Sequence, residues 1–155
     1  MRRCKVVTIL VILAFACTLV YAAGAAREAK IASIKGKADV RFEGKGTWIE
    51  ANKGMTLKQG DELRTRKGST VMLYLNGSAE TATVKVEPSS NLRIAELTKD
   101  SIKGTQSTLL DLSIGEVLIR AEKLDSPESK FEVKTPTSMV GVRGTKFSVR
   151  VEAME

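Results

Sequence analysis

The chain has 155 residues, a formal net charge of +7, two cysteines and no histidine. This length favours one domain with a real core over two domains. The lack of histidine excludes the usual general base, the Ser-His and Cys-His nucleophile systems, and the commonest ligand of zinc and copper sites.

The chain begins with the layout of a secretory signal peptide. Three basic residues within the first five positions precede an uninterrupted apolar run over residues 6–20, and small residues follow at 22–26. The pattern predicts a signal peptide over residues 1–22, with cleavage after Ala22; cleavage after Ala25 is the alternative.

Two other readings of this leader remain open. It could be retained as a membrane anchor, because the apolar segment is uncharged over about the length of a membrane span. Lipidation at Cys17 is disfavoured by Phe15, where such signals have a small residue. In each case we expect a linker over residues 23–29 and an exported domain over residues 30–155, in the periplasm or cell envelope of a bacterium.

The leader contains both cysteines and part of the net charge. Cys4 and Cys17 both lie in it, so the remaining domain has no cysteine for a disulfide or for thiolate chemistry. Three of the +7 charges are in the leader, which leaves +4. The lysines are spread over the chain and the aromatic residues lie among apolar neighbours, so a solvated basic surface is predicted and no nucleic-acid partner.

From residue 30 onward the pattern is that of short strands punctuated by glycine. Residues 31–46 form a hairpin-like unit, residues 47–49 a brief strand, and glycines recur at regular intervals up to residue 77. Such spacing is typical of an all-β domain. Gly60 and Asp61 lie in a corner between two leucines, which favours a structural turn over a metal site.

The middle of the chain continues this pattern. Residues 70–75 are apolar on both faces and predict a central strand, and the Asn76-Gly77 pair predicts a hairpin into residues 79–86. The polar residues 98–107 predict an exposed loop. Residues 109–118 alternate like a strand, turn and strand broken at Gly115. Helix is expected to be scarce outside the leader.

The segment over residues 131–151 closes the β-structure. Phe131 and Val133 share one face of a strand that ends at Pro136, and a strand resumes through Val140. A break at Gly144 then leads to Phe147, with apolar residues at every second position after it.

Catalytic chemistry finds little support in the sequence. Asp61 and Glu62 are adjacent, so a strand would point them to opposite faces. Ser129 and Lys130 lack a nucleophile-elbow pattern, and neither a calcium loop nor a phosphate loop occurs. We therefore expect no enzyme, no catalytic or metal-binding residue, and no cofactor.

Arg143 is a charged residue in an apolar frame. Its guanidinium could hold a carboxylate such as that of Asp61, or bond carbonyls at strand ends. Recognition of an acidic ligand is the alternative, and the structural role is favoured.

These residues together resemble the FecR domain family over residues 30–151. The most specific part is the Thr-Pro pair followed by an Arg-Gly-Thr-x-Phe element. The motif residues, which we expect to be mainly structural, are Trp48, Gly60, Asp61, Thr135, Pro136, Arg143, Gly144, Thr145 and Phe147.

The resemblance implies an exported all-β domain, built as a solenoid-like roll or a sandwich of short antiparallel strands, with a role in envelope signalling. Well-known members place this domain after a cytoplasmic anti-sigma region and a membrane span. Only five residues precede the apolar run here, so the chain resembles stand-alone exported members and direct sigma-factor control is not expected.

The leading functional hypothesis is a non-catalytic exported module that binds an envelope protein or glycan through exposed loops and unpaired strand edges. Contact with the membrane is expected only through an uncleaved leader. The alternative is a structural envelope protein or a truncated fragment of a larger FecR-type sensor.

Overall fold

In a computed structural model of the chain, residues 25–76, 82–121, 126–142, 144 and 146–152 are described. These residues form a curled, all-β half-barrel with a single 3-10 turn at Phe42–Gly44. The strands are β1 (Ala25–Ala26), β2 (Ala29–Lys35), β3 (Ala38–Arg41), β4 (Ile49–Glu50), β5 (Thr56–Leu57), β6 (Glu62–Thr65), β7 (Thr70–Leu75), β8 (Ala82–Val86), β9 (Asn91–Asp100), β10 (Thr105–Ala121), β11 (Lys130–Lys134), β12 (Met139–Val142) and β13 (Lys146–Val151).

The sheet is organised as four long, bent strands lying side by side. β2 continues into β3, β6 into β7, and β8 into β9, while β10 runs unbroken; each neighbours the next in antiparallel register. All four bend at the same level, which we call the crease. The crease comprises Gly36, residues 66–69, residues 87–90 and Gly115.

The crease divides the sheet into two halves that share one core. We call them the β9 half (β1, β3, β4, β6, β9, the first part of β10, β11 and β12) and the β8 half (β2, β5, β7, β8, the end of β10, and β13). Buried aliphatic side chains alternate along the strands of both halves and form a single cluster. Burial of this apolar surface is the main stabilising force for a domain of this type.

Beyond β10, on the side away from β8 and β9, the next position is occupied by two separate strands. β11 runs parallel to β10 beside residues 107–111, whereas β13 runs antiparallel beside residues 115–120. β12 pairs only with β11, and it completes a hairpin. The outermost position is therefore broken at the crease, where the inner four strands are continuous.

Several predictions from periodicity are confirmed. The strand at residues 70–75 is central, since β7 lies between β2 and β8, and Asn76 at φ 63° opens the turn towards β8. The strands on either side of Pro136 are β11 and β12. Phe147 begins the predicted alternation in β13.

The prediction of a strand, turn and strand over residues 109–118 was wrong in one respect. β10 is one strand of 17 residues that passes through Gly115. Gly115 has φ 97°, so it bends the strand without ending it. The inward-facing positions change there from even to odd numbers, as the buried Leu112 and Val117 show.

The exposed loop predicted for residues 98–107 was also wrong. β9 continues to Asp100 and β10 begins at Thr105, which leaves a turn of residues 101–104. Asp100 closes this turn by accepting bonds from the N–H groups of Ile102 (2.9 Å) and Lys103 (3.0 Å). These polar residues form strands because their backbone groups pair between β9 and β10. The polarity of the side chains does not predict this backbone pairing.

The hairpin-like unit predicted for residues 31–46 is divided differently. β2 and β3 do not pair with each other; they are successive parts of one bent strand, and β3 pairs with β4. Strand pairing begins at Ala25, inside the segment 23–29 assigned to a linker. The predicted signal peptide, residues 1–22, lies outside the described residues.

Candidate functional site: the groove beside the outermost strands

The inner part of the crease is closed by buried hydroxyl groups. Thr65 Oγ1 donates to the carbonyl of Glu87 (2.6 Å) and accepts from the N–H of Ser90 (3.0 Å). Ser90 Oγ in turn accepts from the N–H of Glu116 (3.0 Å). Backbone groups that lose their ladder partners at the bend are thus paired by side chains.

Two glycines allow this close packing. A Cβ on Gly115 would lie 2.5 Å from Ser90 Cα, and a Cβ on Gly36 would lie 2.9 Å from Ser69 Cβ. Ser69 Oγ accepts from the N–H of Lys37 at 2.8 Å. Each glycine therefore faces a serine whose hydroxyl replaces a lost ladder bond. The same arrangement occurs at both positions, Gly36 with Ser69 and Gly115 with Ser90.

At the outermost position the crease is open. The turn after β11, residues 135–138, and the end of β13 face each other across Ser113 and Ile114. Between them lies a groove of about 620 Å³. Among the described strands, neither β11 nor β13 continues through this part of the crease, so the groove lies between their ends.

The floor of the groove is apolar and its rim is polar. Ile114 (39% exposed) and Val140 (37% exposed) leave apolar surface open beside the buried Val149. Hydroxyl groups lie around it, and Thr135 Oγ1 is engaged in its own turn, where it accepts from the N–H of Ser138 at 2.9 Å. An apolar floor with a hydrogen-bonding rim can take an extended segment with alternating apolar and polar groups.

One bank of the groove is the free edge of β13. The carbonyl of Glu116 accepts a hydrogen bond from the N–H of Glu87, so the backbone of Glu116 faces β8. Along β10 the direction alternates, so the backbone groups of Val117 and Ile119 face β13. In an antiparallel pair, the backbone groups of alternate residues bond to the neighbouring strand. Phe147 and Val149 therefore bond to β10, and the backbone groups of Lys146, Ser148 and Arg150 point outwards.

A second depression, of about 490 Å³, lies at the other end of β13. Met72, Leu118 and Phe147 line it together with Lys146 and Ser148. Ser148 thus borders both cavities. The 490 Å³ depression extends from β13 over β10, β8 and β7, whereas the 620 Å³ groove adjoins the outward-facing backbone of β13.

The charge along β13 is positive. Lys146 is exposed, and Arg150 is held by Glu116 through bonds of 3.0 and 2.6 Å. The pKa of Arg150 is raised because of its hydrogen bond to Glu116, so it remains cationic. Because Glu116 already holds Arg150, Lys146 is the cation of β13 that an acidic group of a partner can approach.

The residues singled out in the sequence lie in two separate places. Thr135 and Pro136 form the turn at the groove, and Phe147 lies on β13, partly buried against the core. Gly144, at φ 66°, lies between β12 and β13. Trp48, Gly60 and Asp61 lie at the opposite margin of the β9 half. Arg143 and Thr145 lie outside the described residues.

A family model described as FecR protein matches residues 61–155. The chain belongs to the FecR family. No curated protein and no solved structure gives a significant match. In the described part of the chain, no helix has the length and apolarity needed to cross a membrane.

Membership of the FecR family indicates a signalling-related domain, since the family is regulatory and is not known for enzymatic activity. Its association with envelope sensors is consistent with an envelope location. Among the described residues, no group of three or more acidic, cysteine or histidine side chains could hold a metal ion.

The corner at Gly60 and Asp61 is held together by hydrogen bonds to backbone groups. Gly60 adopts φ 95°, and the buried carboxylate of Asp61 accepts from the N–H groups of Lys58 (2.7 Å) and Glu43 (2.9 Å). Both carboxylate oxygens are therefore bonded to backbone within the described residues. The predicted contact of Asp61 with Arg143 remains a prediction.

Trp48 belongs to a cluster on the outer face of the β9 half. The guanidinium carbons of Arg41 and Arg64 lie 4.7 and 4.3 Å from its ring centroid, which is cation–π contact. Arg64 and Arg66 both bond the buried carboxylate of Asp39 at 3.0–3.1 Å. The pKa of Asp39 is lowered, mainly because of its hydrogen bond from Arg66.

Sequence reasoning missed the buried polar residues that close the crease, and it missed Arg27. Arg27 is 8% exposed and donates to Asn76 Oδ1 (2.5 Å) and Thr108 Oγ1 (2.8 Å). Burial lowers its pKa. Gly36 and Gly115 were the sequence signals at the crease, but they were interpreted as part of a hairpin-like unit and as a turn, because their serine partners are distant in sequence.

Proposed function

We propose that this FecR-family protein is a non-catalytic signalling module, exported to the bacterial cell envelope, that binds an envelope partner along the free edge of β13. The observation that carries the proposal is this edge: three backbone positions, at Lys146, Ser148 and Arg150, face outwards, and the 620 Å³ groove adjoins them at Ser148 and Arg150. Export is supported by the signal-peptide pattern of residues 1–22.

An extended segment of an envelope protein fits the edge better than a glycan. A peptide strand can bond the outward N–H and C=O groups of β13 and place side chains in the 620 Å³ groove beside them. The described residues that line the 620 Å³ groove include no aromatic side chain on which a sugar ring could stack.

Charge adds selectivity at the same edge. If two copies of β13 paired antiparallel around Ser148, Lys146 of one copy would face Arg150 of the other. Like charges directly opposite destabilise a strand pair, whereas acidic side chains would be attracted. The edge thus disfavours its own copy and favours an acidic strand.

The test is co-sedimentation of residues 23–155, which contain every described strand, with purified peptidoglycan and separately with envelope membrane vesicles. Salt of about 50 and about 300 mM separates simple charge attraction from specific binding, because exposed charges are screened at the higher concentration. We expect salt-resistant binding to the protein-containing vesicles, and its loss after mild proteolysis of the vesicles.

The edge itself is tested by Ser148→Pro, which removes an outward N–H and leaves the ladder to β10 intact. We expect at least a tenfold loss of binding, and a smaller loss for Ser113→Ala, which removes a hydroxyl group that lines the groove. Binding to peptidoglycan alone would favour a glycan partner. Unchanged vesicle binding by Ser148→Pro would contradict the proposed edge.

A further inference from the structure

The strand edges of the sheet differ in how they are protected against pairing with another chain. Among the described strands, β1, β4 and β5 are edge strands of two residues each. Short edge strands and charged side chains are the usual protection. β13 has six residues and carries Lys146 and Arg150. β12 has neither protection.

β12 is an apolar edge strand that is open on both faces. Its sequence is Met-Val-Gly-Val, and Met139 is 59% exposed while Val140 is 37% exposed. Such an uncharged, exposed edge is a site where another strand adds. Its pairing with β11 is complete, so only the outer edge remains available.

The backbone of β12 determines which groups are free. Thr135 N–H donates to Ser138 O (2.8 Å) and closes the β11–β12 hairpin. By the alternation of an antiparallel pair, Val140 and Val142 then bond to β11, and the N–H and C=O groups of Met139 and Gly141 point outwards.

This arrangement is complementary to itself. An antiparallel pair of β12 strands related by a two-fold axis at Val140 places Met139 of each copy opposite Gly141 of the other. These two positions carry the outward backbone groups, so all four can bond across the axis. The long Met139 side chain covers a residue without a Cβ, and the two Val140 side chains meet as the close, non-hydrogen-bonded pair.

The neighbouring strand agrees with the same register. On β11, Lys134 lies opposite Met139 and Glu132 lies opposite Gly141. In the two-fold pair, residues that lie opposite one another across the four strands would form a line. Each such line would begin at Lys134 of one copy and end at Glu132 of the other. Opposite charges therefore occupy the two ends of each line, and no like charges face each other.

We propose that two copies of this chain associate through β12, in antiparallel two-fold register centred on Val140, to form one sheet that continues across the dimer. This is an isologous contact, the commonest kind in homodimers. It leaves the edge of β13 unpaired, although Val140 also lines the groove proposed for the envelope partner.

Disulfide trapping in the full-length chain tests the register. Cys4 and Cys17 are replaced by serine, and a single cysteine is introduced as Val140→Cys or, for comparison, as Ser148→Cys on β13. Cα atoms about 4.5 Å apart in a non-hydrogen-bonded pair suit a disulfide. We expect Val140→Cys to give a cross-linked dimer at least tenfold faster than Ser148→Cys under mild oxidation.

A second pair of variants tests the symmetry without depending on a disulfide. Val140→Lys places two cations opposite each other at the axis and Val140→Glu places two anions. We expect each variant alone to sediment as a monomer, and an equimolar mixture to restore the dimer. Circular dichroism checks that each variant is folded.

Two results would overturn the proposal. One is equal cross-linking rates at positions 140 and 148. The other is a wild-type chain that stays monomeric up to about 1 mM, a concentration at which even weak specific contacts are populated. Because Ser148→Pro blocks β13 alone, loss of partner binding and loss of the dimer can be distinguished.

Discussion

The closed and open parts of the crease use the same bend in opposite ways. Where the four inner strands cross it, glycine allows the backbones to approach and Ser69 and Ser90 replace the lost ladder bonds. At the outermost position, β11 and β13 stop on either side and leave a groove of about 620 Å³. The inner crease is closed by hydrogen bonds that stabilise the fold, whereas its outer end is the open groove that we propose for binding.

The largest expected effect tests the closed part. Gly115→Ala places a Cβ 2.5 Å from Ser90 Cα in a residue with φ 97°, and we expect a loss of about 3–5 kcal/mol in unfolding free energy, or failure to fold. Urea denaturation provides the measurement. Gly68→Ala, which has positive φ but no atom within 4 Å of the added Cβ, should cost only about 1 kcal/mol. Equal losses would contradict the packing role of Gly115.

A smaller effect is expected when the hydroxyl of Ser90 is removed. Ser90→Ala leaves the N–H of Glu116 without its partner, and an unpaired buried group costs about 1–3 kcal/mol. The matched variant is Ser113→Ala, where an exposed serine lines the groove; a change within about 0.5 kcal/mol is expected there. Thermal and urea unfolding of both variants compare the two parts directly. An unchanged unfolding free energy in Ser90→Ala would contradict the distinction between the closed and open parts of the crease.

These two parts also differ in how far the sequence predicts them. Alternation identified β11 and β13, because their apolar residues face one core, and apolar residues on both faces identified the central β7. It failed at residues 98–107, where ladder bonds hold a polar ribbon, and at Gly115, where glycine suits both a turn and a bent strand. The pairing of Thr65 with Ser90 joins residues 25 positions apart, and no local pattern contains that information.

The pH dependence of stability should differ between the buried acid Asp39 and the exposed ion pair of Glu116 and Arg150. Since the folded pKa of Asp39 is lowered, its contribution is present above the unfolded pKa of about 3.9 and is lost as pH falls through the lower folded value. We expect Asp39→Asn to reduce stability at pH 7 by less than Ser90→Ala does, and the difference from wild type to shrink below about pH 4. Urea midpoints at pH 7 and pH 3 measure this.

The control for that experiment is Glu116→Gln, which weakens the pairing with the exposed Arg150 beside the groove. Exposed pairs contribute about 0–1 kcal/mol, so little change in the midpoint is expected at either pH. A pH-independent loss in Asp39→Asn would show that the carboxylate charge is not what stabilises this site.

The smallest effect on stability, and a clear effect on binding, is expected for the charge of β13. Lys146→Ser removes an exposed cation from the free edge, so unfolding free energy should change by less than about 0.5 kcal/mol. Vesicle binding should weaken about threefold and become less sensitive to salt, because an acidic partner loses one attraction. Lys53→Ser, in a distant exposed turn, is the control. Equal effects of the two variants would argue against acidic recognition at β13.

Residue-resolved amide hydrogen exchange in the folded domain tests the central comparison most directly. The account predicts that the amides of Lys37, Ser90 and Glu116, which donate to crease hydroxyls, exchange only through global unfolding. The outward amides of Lys146 and Ser148 on β13 should exchange many times faster. Equal protection of the two groups would contradict the division into a closed crease and an open, binding-competent end.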